Sequence, residues 1–467
     1  MMTTMKTGCL ALTMLAAAFA GIAAQTTPGS SGETVITNVT LLPMDRSGTV
    51  PGQTVVIRNG TITAVGAAGS VRVADDATVI DGSGRYLMPG LAEMHAHVPP
   101  GADPSRDAVE DILFLYVANG ITTIRGMLGS DYQIPLANEL RRGDLLGPTF
   151  YVGAPSINGS SAPTPAAAEA LVRAHAEAGY DLQKIHPGVS RETWDRMVEV
   201  AAEFGLTYGG HVPADVGLVH AIETGMSTVD HLDGYVQAVA SDDVVAQVNT
   251  GQDISLEGLV SGVDEAKISE IVRLTVEHDV YVVPTMYLWE NLYGAPDAEA
   301  FLRLPEMRYV SEAQKNAWRR QAAGGPREDP AAVRAFLDLR SRILKELADA
   351  GAPIMMGTDS PQLFNVPGFA LHREIAVMSE AGMTNQQILE SGTVAVGNYV
   401  RDHLKIDDHF GTIAPGQRAD LVLLQSNPLE DLANLTDRAG VMVRGRWISR
   451  AEIDEGLANL AAKHAGG

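Results

Sequence analysis

The chain has 467 residues, of which 45% are hydrophobic and 19% are charged. This composition supplies a large apolar core and argues against extended disorder, and the length suits one large domain with a smaller companion. The formal net charge of −23 disfavours nucleic acids and anionic membrane surfaces as partners.

The first 24 residues have the pattern of an export signal. Lys6 gives a short positive region, residues 10–20 form an apolar run, and small residues at 21–24 offer a cleavage site. The run is too short to span a membrane comfortably, so we expect no membrane insertion after cleavage. Cys9 is the only cysteine, so the mature chain would have no disulfide. These features predict a periplasmic or secreted protein.

Short β-branched runs separated by turns occur near both ends of the chain, and Asn59-Gly60 and Arg444-Gly445 are two of the turns. The runs cover residues 34–42, 54–58, 61–65, 411–415, 419–424 and 441–448. We therefore expect residues 25–85 and 405–467 to form one composite β-sandwich domain.

Between these ends, from residue 86 to residue 404, short apolar runs alternate with helical stretches such as residues 216–223. That alternation indicates an α/β fold, namely a (β/α)8 TIM barrel inserted into the β-sandwich domain. The charged, helical segment at residues 291–340 interrupts the alternation. This segment could be a lid or an oligomerisation arm, and the chain could form a homo-oligomer.

Six residues with metal-binding or acid–base side chains stand at or near the ends of apolar runs. In a (β/α)8 barrel the catalytic groups come from the carboxyl ends of different strands and meet in one place. Four histidines, a lysine and an aspartate would suit two divalent metal ions. They are His95, His97, Lys184, His211, His231 and Asp359.

Lys184 and Asp359 need a chemical explanation. Beside two dications, an ammonium group is repelled and loses its proton; the neutral amine can then take up CO2, and the resulting carbamate could bridge two metals. Asp359 could bind metal and accept a proton from metal-bound water, which is acidic enough to ionise near neutral pH. Asp359 could instead be a helix N-cap. His186 alternates with Lys184 and could face the same site.

The pattern resembles the amidohydrolase superfamily, and specifically its imidazolonepropionase-like or prolidase-like branch. The resemblance rests on the segment from Pro89-Gly90 to His95-Ala96-His97, on residues 120–125 and on residues 416–422. Glu93 stands where many members have Asp. The resemblance implies a binuclear zinc-type centre with His95 and His97 from the first strand and a carboxylated bridging Lys184. It also assigns His211 and His231 to strands five and six and Asp359 to strand eight.

The resemblance implies hydrolysis of an amide or related bond by a metal-bridging hydroxide, with Asp359, Lys184 and His231 as catalytic residues. The favoured substrate is a small peptide or an N-acyl amino acid with a free carboxylate. Candidate substrate contacts are Arg125, Tyr235, His372 and His186. Arg125 could pair with the carboxylate, or it could be buried in an ion pair, and His372 could simply lie on a helix.

Two other functions remain open. The same fold could hydrolyse a cyclic amide or a lactone, or deaminate a ring, although Lys184 favours the binuclear chemistry. A non-enzymatic binding protein is disfavoured because all six ligand residues are present.

Overall fold

The computed structural model describes residues 32–99, 104–244, 255–294, 298–325 and 328–465. The predicted signal at residues 1–24 therefore lies outside the described residues. Within the part of the chain that is described, no helix combines the length and apolarity needed to cross a membrane.

The fold has a mixed α/β content. The strands are β1 (Glu33–Leu41), β2 (Val50–Arg58), β3 (Thr61–Ala67), β4 (Thr78–Asp81), β5 (Tyr86–Pro89), β6 (Leu91–Ala96), β7 (Ile121–Gly126), β8 (Thr149–Val152), β9 (Gln183–Ile185), β10 (Tyr208–Gly210), β11 (Thr228–Asp230), β12 (Tyr281–Val283), β13 (Leu421–Leu424), β14 (Arg438–Val443) and β15 (Arg446–Ser449). The helices are α1 (Arg106–Ala118), α2 (Gln133–Arg142), α3 (Pro165–Ala178), α4 (Arg191–Phe204), α5 (Leu218–Glu223), α6 (Tyr235–Ala238), α7 (Leu256–Ser261), α8 (Glu265–Glu277), α9 (Met286–Trp289), α10 (Ala298–Leu302), α11 (Glu312–Ala323), α12 (Pro330–Asp349), α13 (Phe369–Glu380), α14 (Asn385–Ser391), α15 (Val394–Asp402) and α16 (Arg450–Ala465). A π-helical turn covers Glu290–Gly294, and 3-10 turns cover Pro305–Tyr309 and Leu432–Thr436.

The strands from the two ends of the chain form one sheet in the order β15-β14-β13-β5-β1-β2-β3, with β4 also paired to β1. Gly60, at φ 78°, and Gly445, at φ 80°, make the turns that the sequence predicts. Residues 411–415 form no strand, because Gly411 turns the chain at φ 90° and Pro415 has no N–H to donate. The pairing places these strands in a single sheet, so the two-layered sandwich stays a prediction. The sheet also includes β5, beyond the predicted boundary at residue 85.

Five of the six metal-binding candidates lie on, or directly after, strands of two parallel sheets, β6-β7-β8 and β12-β11-β10-β9, and Asp359 lies in residues 353–360. Parallel bridges join Gly153 to Leu182, Val282 to Ile354, and Ala96 to Ser360. The pairing therefore runs from β6 to β12, seven strands in all, and then through residues 353–360 back to β6. This circuit has the order of neighbours that a (β/α)8 barrel requires.

Amphipathic helices bury apolar faces against these strands. Ser190 caps the start of α4 through the Thr193 N–H, and Gly205 ends the helix in the left-handed conformation at φ 63°. Trp194 and Met197 on its inner face are fully buried. The caps set the ends of α4, and the spacing of its apolar residues gives it one buried face.

The described part of the predicted 291–340 segment packs on the rest of the molecule. Its last eleven residues belong to α12. Trp318 on α11 is 1% exposed and its ring lies 5.5 Å from that of Phe364, while Phe301 stacks on Phe364 at 5.0 Å. Leu460 of α16 belongs to the same apolar cluster. The lid and the oligomerisation arm remain predictions.

Candidate active site

His95, His97, Lys184 and Asp359 come together at one end of the parallel strands. His97 Nε2 lies 2.5 Å from Asp359 Oδ1, and Lys184 Nζ lies 3.3 Å from His95 Nε2. His95, His97 and Asp359 each offer a ligand atom within 4.8 Å of the other two, which is close enough for one ion. β6 and its end carry both histidines, β9 carries Lys184, and residues 353–360 carry Asp359.

The other two predicted histidines extend this group. The His231 ring lies 4.4 Å from that of His95 and 4.5 Å from that of His211. His186 is next, with its ring 4.8 Å from that of His211. The His97 and His211 side chains are 17% and 22% exposed, whereas that of His95 is 1% exposed. The cluster is therefore closed on the His95 side and open to solvent at His97 and His211.

The backbone at two of these residues is left-handed although neither is a glycine. His231 has φ 64° and Asp359 has φ 60°, a conformation that L-residues rarely adopt. Hydrogen bonds hold both turns: the His231 N–H donates to Val283 O at 2.7 Å, and the Asp359 N–H donates to His95 O at 2.9 Å. Neighbouring strands thus fix the positions of both side chains.

Three of the histidines have a polar partner for Nδ1. Asp233 Oδ2 lies at hydrogen-bond distance, 2.7 Å, from His211 Nδ1. Asp230 Oδ2 lies 2.8 Å from His95 Nδ1, an ion-pair contact without hydrogen-bond geometry. The third contact joins His231 Nδ1 to Thr285 Oγ1 at 2.8 Å. A partner at Nδ1 selects the tautomer whose Nε2 is free to bind a metal.

Asp230 is fully buried beneath the cluster. Arg125 Nη2 lies 3.1 Å from both of its carboxylate oxygens. Burial would raise the pKa of Asp230, but Arg125 and Lys184 hold it below its usual value. Asp230 is therefore an ionised partner that orients His95.

Lys184 is also fully buried. Burial lowers its pKa to about 8, against the opposing effects of Asp230 and Asp359. No carboxylate among the described residues lies within ion-pair distance of its amine. A lysine in this setting is a far better source of neutral amine than one on the surface.

Glu93 connects the two segments that carry His95 and Asp359. Its carboxylate accepts hydrogen bonds from the His95 N–H at 3.0 Å, the Thr358 N–H at 2.8 Å and the Thr358 hydroxyl at 2.7 Å. Burial raises the pKa of Glu93 to about 8. Its contacts are structural: it joins β6 to residues 353–360.

Arg340 on α12 supports the His231 turn and was not among the residues predicted from the sequence. Its Nη2 donates to His231 O at 2.8 Å, and its guanidinium lies 4.3 Å from the Trp289 ring centre. The side chain is 2% exposed. Nothing in the local sequence distinguishes Arg340 from the surface arginines of the same helix. Asp230, Asp233 and Thr285 were also missed, although two of them flank His231.

Three predicted substrate contacts need correction. Arg125 is fully buried, and its guanidinium is taken up by Asp230, Thr228 and the Met94 carbonyl. Tyr235 is also fully buried, and its hydroxyl lies 2.8 Å from Thr275 Oγ1. His372, on α13, has Nε2 3.3 Å from Arg438 Nη1 of the terminal sheet. Of the four candidates only His186 lies beside the cluster.

A cavity of about 930 Å³ has Asp233, the partner of His211, in its wall. Its walls include Val212 and Pro213, which directly follow His211, and apolar residues of α5 and α8 such as Leu218 and Ile271. The wall also carries charged side chains, among them Arg191, Glu223 and Lys267, and it includes none of the six predicted ligands.

Comparisons with solved structures show the same fold in other proteins. Bottromycin amidohydrolase superposes with a TM-score of 0.70 at 23% identity, over 92% of this chain and 90% of that chain. A Xaa-Pro dipeptidase with methionine bound in its active site gives a TM-score of 0.63 at 19% identity, over 89% of this chain and 100% of that chain. At these identities the likeness concerns the fold alone.

Curated relatives match over shorter stretches. Adenine deaminase 3 of Rhizobium meliloti (strain 1021) is 27% identical over 219 residues, which is 43% of this chain and 35% of that protein. Enamidase of Eubacterium barkeri is 33% identical over 79 residues, which is 17% of this chain and 20% of the enzyme. The chain thus matches well under two thirds of the length of these relatives.

The sequence model of the amidohydrolase family matches residues 86–448, which is more than half of the chain. That stretch contains all six predicted ligand residues and every strand that carries them. The resemblance inferred from the sequence is thereby confirmed. The chain belongs to the amidohydrolase family.

Proposed function

We propose that the protein is a metal-dependent amidohydrolase that cleaves an amide bond of a small peptide or an N-acyl amino acid. One observation carries the proposal: four histidines, Lys184 and Asp359, drawn from distant parts of the chain, converge at one end of the parallel strands. We propose that these strands close as a (β/α)8 barrel, whose carboxyl end is where such enzymes bind substrate.

The donor set fits two divalent ions, and we propose zinc. His231 Nε2 is buried and has no hydrogen-bond partner among the described residues, as expected of a nitrogen that binds a metal. His95, His97, His211, His231 and Asp359 would hold the ions. When bound, the ions supply Lewis acidity, which polarises a substrate carbonyl and lowers the pKa of water.

We assign Lys184 the role of a carboxylated ligand shared by both ions. Its position supports this role, because its amine is buried next to His95 and has no carboxylate partner within ion-pair distance in the described chain. Addition of the amine to CO2 forms a carbamate and releases one proton. The product offers two anionic oxygens where the amine offered one nitrogen.

We assign proton transfer to Asp359. Its Oδ1 lies beside His97 and its Oδ2 accepts a hydrogen bond from Gln362 Nε2 at 2.9 Å, so the carboxylate is held at the open side of the cluster. There it would take a proton from the attacking water and deliver it to the leaving nitrogen. His231 completes the catalytic group beside the substrate carbonyl, and His186 is the proposed substrate contact.

The predicted export signal supports a periplasmic or secreted role, in which an enzyme of this kind would scavenge small peptides. A ring deaminase is the second candidate, and the similarity to adenine deaminase 3 favours it over a lactonase or a cyclic amide hydrolase. A peptidase and a deaminase would use the same cluster of residues and would differ in the substrate that is hydrolysed.

The test is product release by the zinc-loaded mature protein from dipeptides and N-acyl amino acids, each paired with its C-terminal amide. We expect turnover of the free acids that is lost on amidation and lost in the Asp359→Asn variant. Ammonia release from adenine, with no turnover in the peptide panel, would replace the peptidase assignment with ring deamination. Absence of turnover in both panels would direct the search to lactones and cyclic amides.

A further inference from the structure

We propose that a second cavity, at the opposite end of the parallel strands from the metal cluster, binds a small organic phosphate. The cavity has a volume of about 710 Å³ and lies between the terminal sheet and the loop that leads into β8. Thr149, the first residue of β8, is in its wall, whereas the metal ligands follow the last residues of their strands. The site is thus separate from the catalytic centre.

The walls of this cavity are strongly cationic in a chain whose net charge is −23. Five arginines and two aspartates line it, namely Arg141, Arg142, Arg418, Arg444, Arg446, Asp407 and Asp408. Arg418 is neutralised by Asp408 and Asp420, and Arg142 lies 2.7 Å from Asp144. In the described chain no carboxylate reaches ion-pair distance of Arg141, Arg444 or Arg446.

Arg444 is held in place by neutral hydrogen-bond acceptors, and no carboxylate of the described residues lies at ion-pair distance from its guanidinium. Its Nη1 donates to Thr149 Oγ1 at 3.1 Å and its Nη2 donates to Gly147 O at 2.9 Å. Its Nε is buried and has no hydrogen-bond partner among the described residues. Burial lowers the pKa of Arg444; Asp420 opposes that shift, and Arg418 and Arg141 add to it. An anion in the cavity would relieve this repulsion.

The arrangement favours a phosphate group over a single carboxylate. A guanidinium binds a pair of oxygens through two parallel N–H groups, and a phosphate has enough oxygens for several such partners. The three unpaired arginines approach from α2, from the turn after β14 and from β15. All three line the same cavity, so an anion with several oxygens could pair with more than one of them.

The rest of the wall suits the organic part of the ligand. Leu145, Leu146, Ile406 and Val443 give apolar surface beside the arginines. The volume lies within the range of about 300–1,000 Å³ that is usual for small-molecule sites and is much larger than a free phosphate needs. A phosphate monoester would use both parts of the cavity.

The test is calorimetric titration of the zinc-loaded mature protein, in a phosphate-free buffer, with inorganic phosphate, glycerol 3-phosphate and adenosine monophosphate. We expect saturable 1:1 binding, with an ester bound more tightly than inorganic phosphate. Arg446→Met and Arg141→Met should each weaken binding by about tenfold, which corresponds to the loss of one charge-assisted hydrogen-bonded contact. Arg72→Met is the matched control, because Arg72 is exposed and lies outside the cavity.

The arginine variants are chosen to keep the fold, since both side chains are exposed and the Arg141 guanidinium bonds to Asn138 of its own helix. Unchanged circular dichroism and unchanged zinc content would show that a loss of binding is local. Three results would overturn the proposal: no saturable binding at millimolar ligand, binding that both arginine variants retain, or binding that Asp359→Asn abolishes. Equal affinity for the esters and inorganic phosphate would overturn the assignment of an ester.

Discussion

A histidine offers Nε2 to a metal when its other ring nitrogen is held, and this site places a polar partner at Nδ1 of three histidines. Asp230 does so for His95, Asp233 for His211 and Thr285 for His231. Carboxylate partners make imidazole a stronger base than a hydroxyl partner does. His95 and His211 thus have a carboxylate partner, whereas His231 has a hydroxyl partner.

Lys184 gives the sharpest test of the binuclear centre. Lys184→Ala removes the only proposed ligand that both ions share, so the zinc content should fall below two ions per chain. Activity should drop at least a hundredfold. Removing a residue that only supports a ligand typically costs about 10–100-fold. Metal analysis and turnover measure the two effects. Lys345→Ala, which removes a surface ion pair with Asp349, is the control. Full zinc content and activity in Lys184→Ala would contradict the bridging role.

Arg340 should act on metal affinity through His231. Arg340→Met removes the hydrogen bond to the His231 carbonyl but keeps an apolar side chain against Trp289, so zinc affinity should fall by about 10–100-fold. Competition with a chromophoric chelator measures it. Arg342→Met, on the same helix and partnered by Glu265 at the surface, should leave the affinity unchanged. A loss of thermal stability with unchanged zinc affinity would limit Arg340 to a packing role.

The sequence identified residues whose chemistry is unusual for their local pattern, and it did less well with residues whose role depends on distant partners. Lys184 was singled out because a lysine at the end of an apolar strand is rare. Arg125 follows an equally apolar run, but its partner Asp230 lies 105 positions away. An arginine that pairs with substrate and one that pairs with a buried aspartate look alike in one sequence.

At the scale of elements, the sequence predicted strands where β-branched runs have clear turns, as at β1, β2 and β3. Residues 411–415 show the limit, because Ile413 is buried and donates its N–H to Pro43 O although no strand forms around it. A buried apolar residue in a loop gives the same sequence pattern as a residue of a short strand. The closing bridges of the parallel circuit are single pairs, which no local pattern encodes.

The C-terminal helix α16 joins the described part of the 291–340 segment to the helix α1. Leu460, 5% exposed, packs in one apolar cluster with Trp318 and Leu115. Leu460→Ala should lower the free energy of unfolding by about 2–5 kcal/mol, the usual cost of such a cavity, as measured by urea denaturation. Asn459→Ala, exposed on the same helix, should change it little. A loss below about 0.5 kcal/mol, on the order of a surface substitution, would show that α16 does not hold this segment in place.

For the whole molecule, composition predicted an acidic protein and correctly implied a large core, but net charge says nothing about where charges of one sign collect. Arg141, Arg444 and Arg446 meet only because the terminal sheet returns to the loop before β8. Charges that lie far apart in the chain are brought together by topology alone. The cationic cavity could therefore be found only in the folded chain.

The junction between the terminal sheet and the helices should make stability depend on pH through His372. Burial and then Arg438 lower the pKa of His372 to about 3, while in the unfolded chain it is about 6.5. The unfolded state therefore binds the extra proton as pH falls from about 6.5 towards 3, and stability is lost over that window. In His372→Gln the slope of the free energy of unfolding against pH should decrease by up to about 1.4 kcal/mol per pH unit. Urea denaturation between about pH 7 and pH 5, where the histidine of the unfolded chain titrates, measures this slope. His278 is exposed at the end of α8, and the control variant His278→Gln should keep the slope of the parent protein. Equal slopes for the parent protein and both variants would show that protonation of His372 does not couple to unfolding.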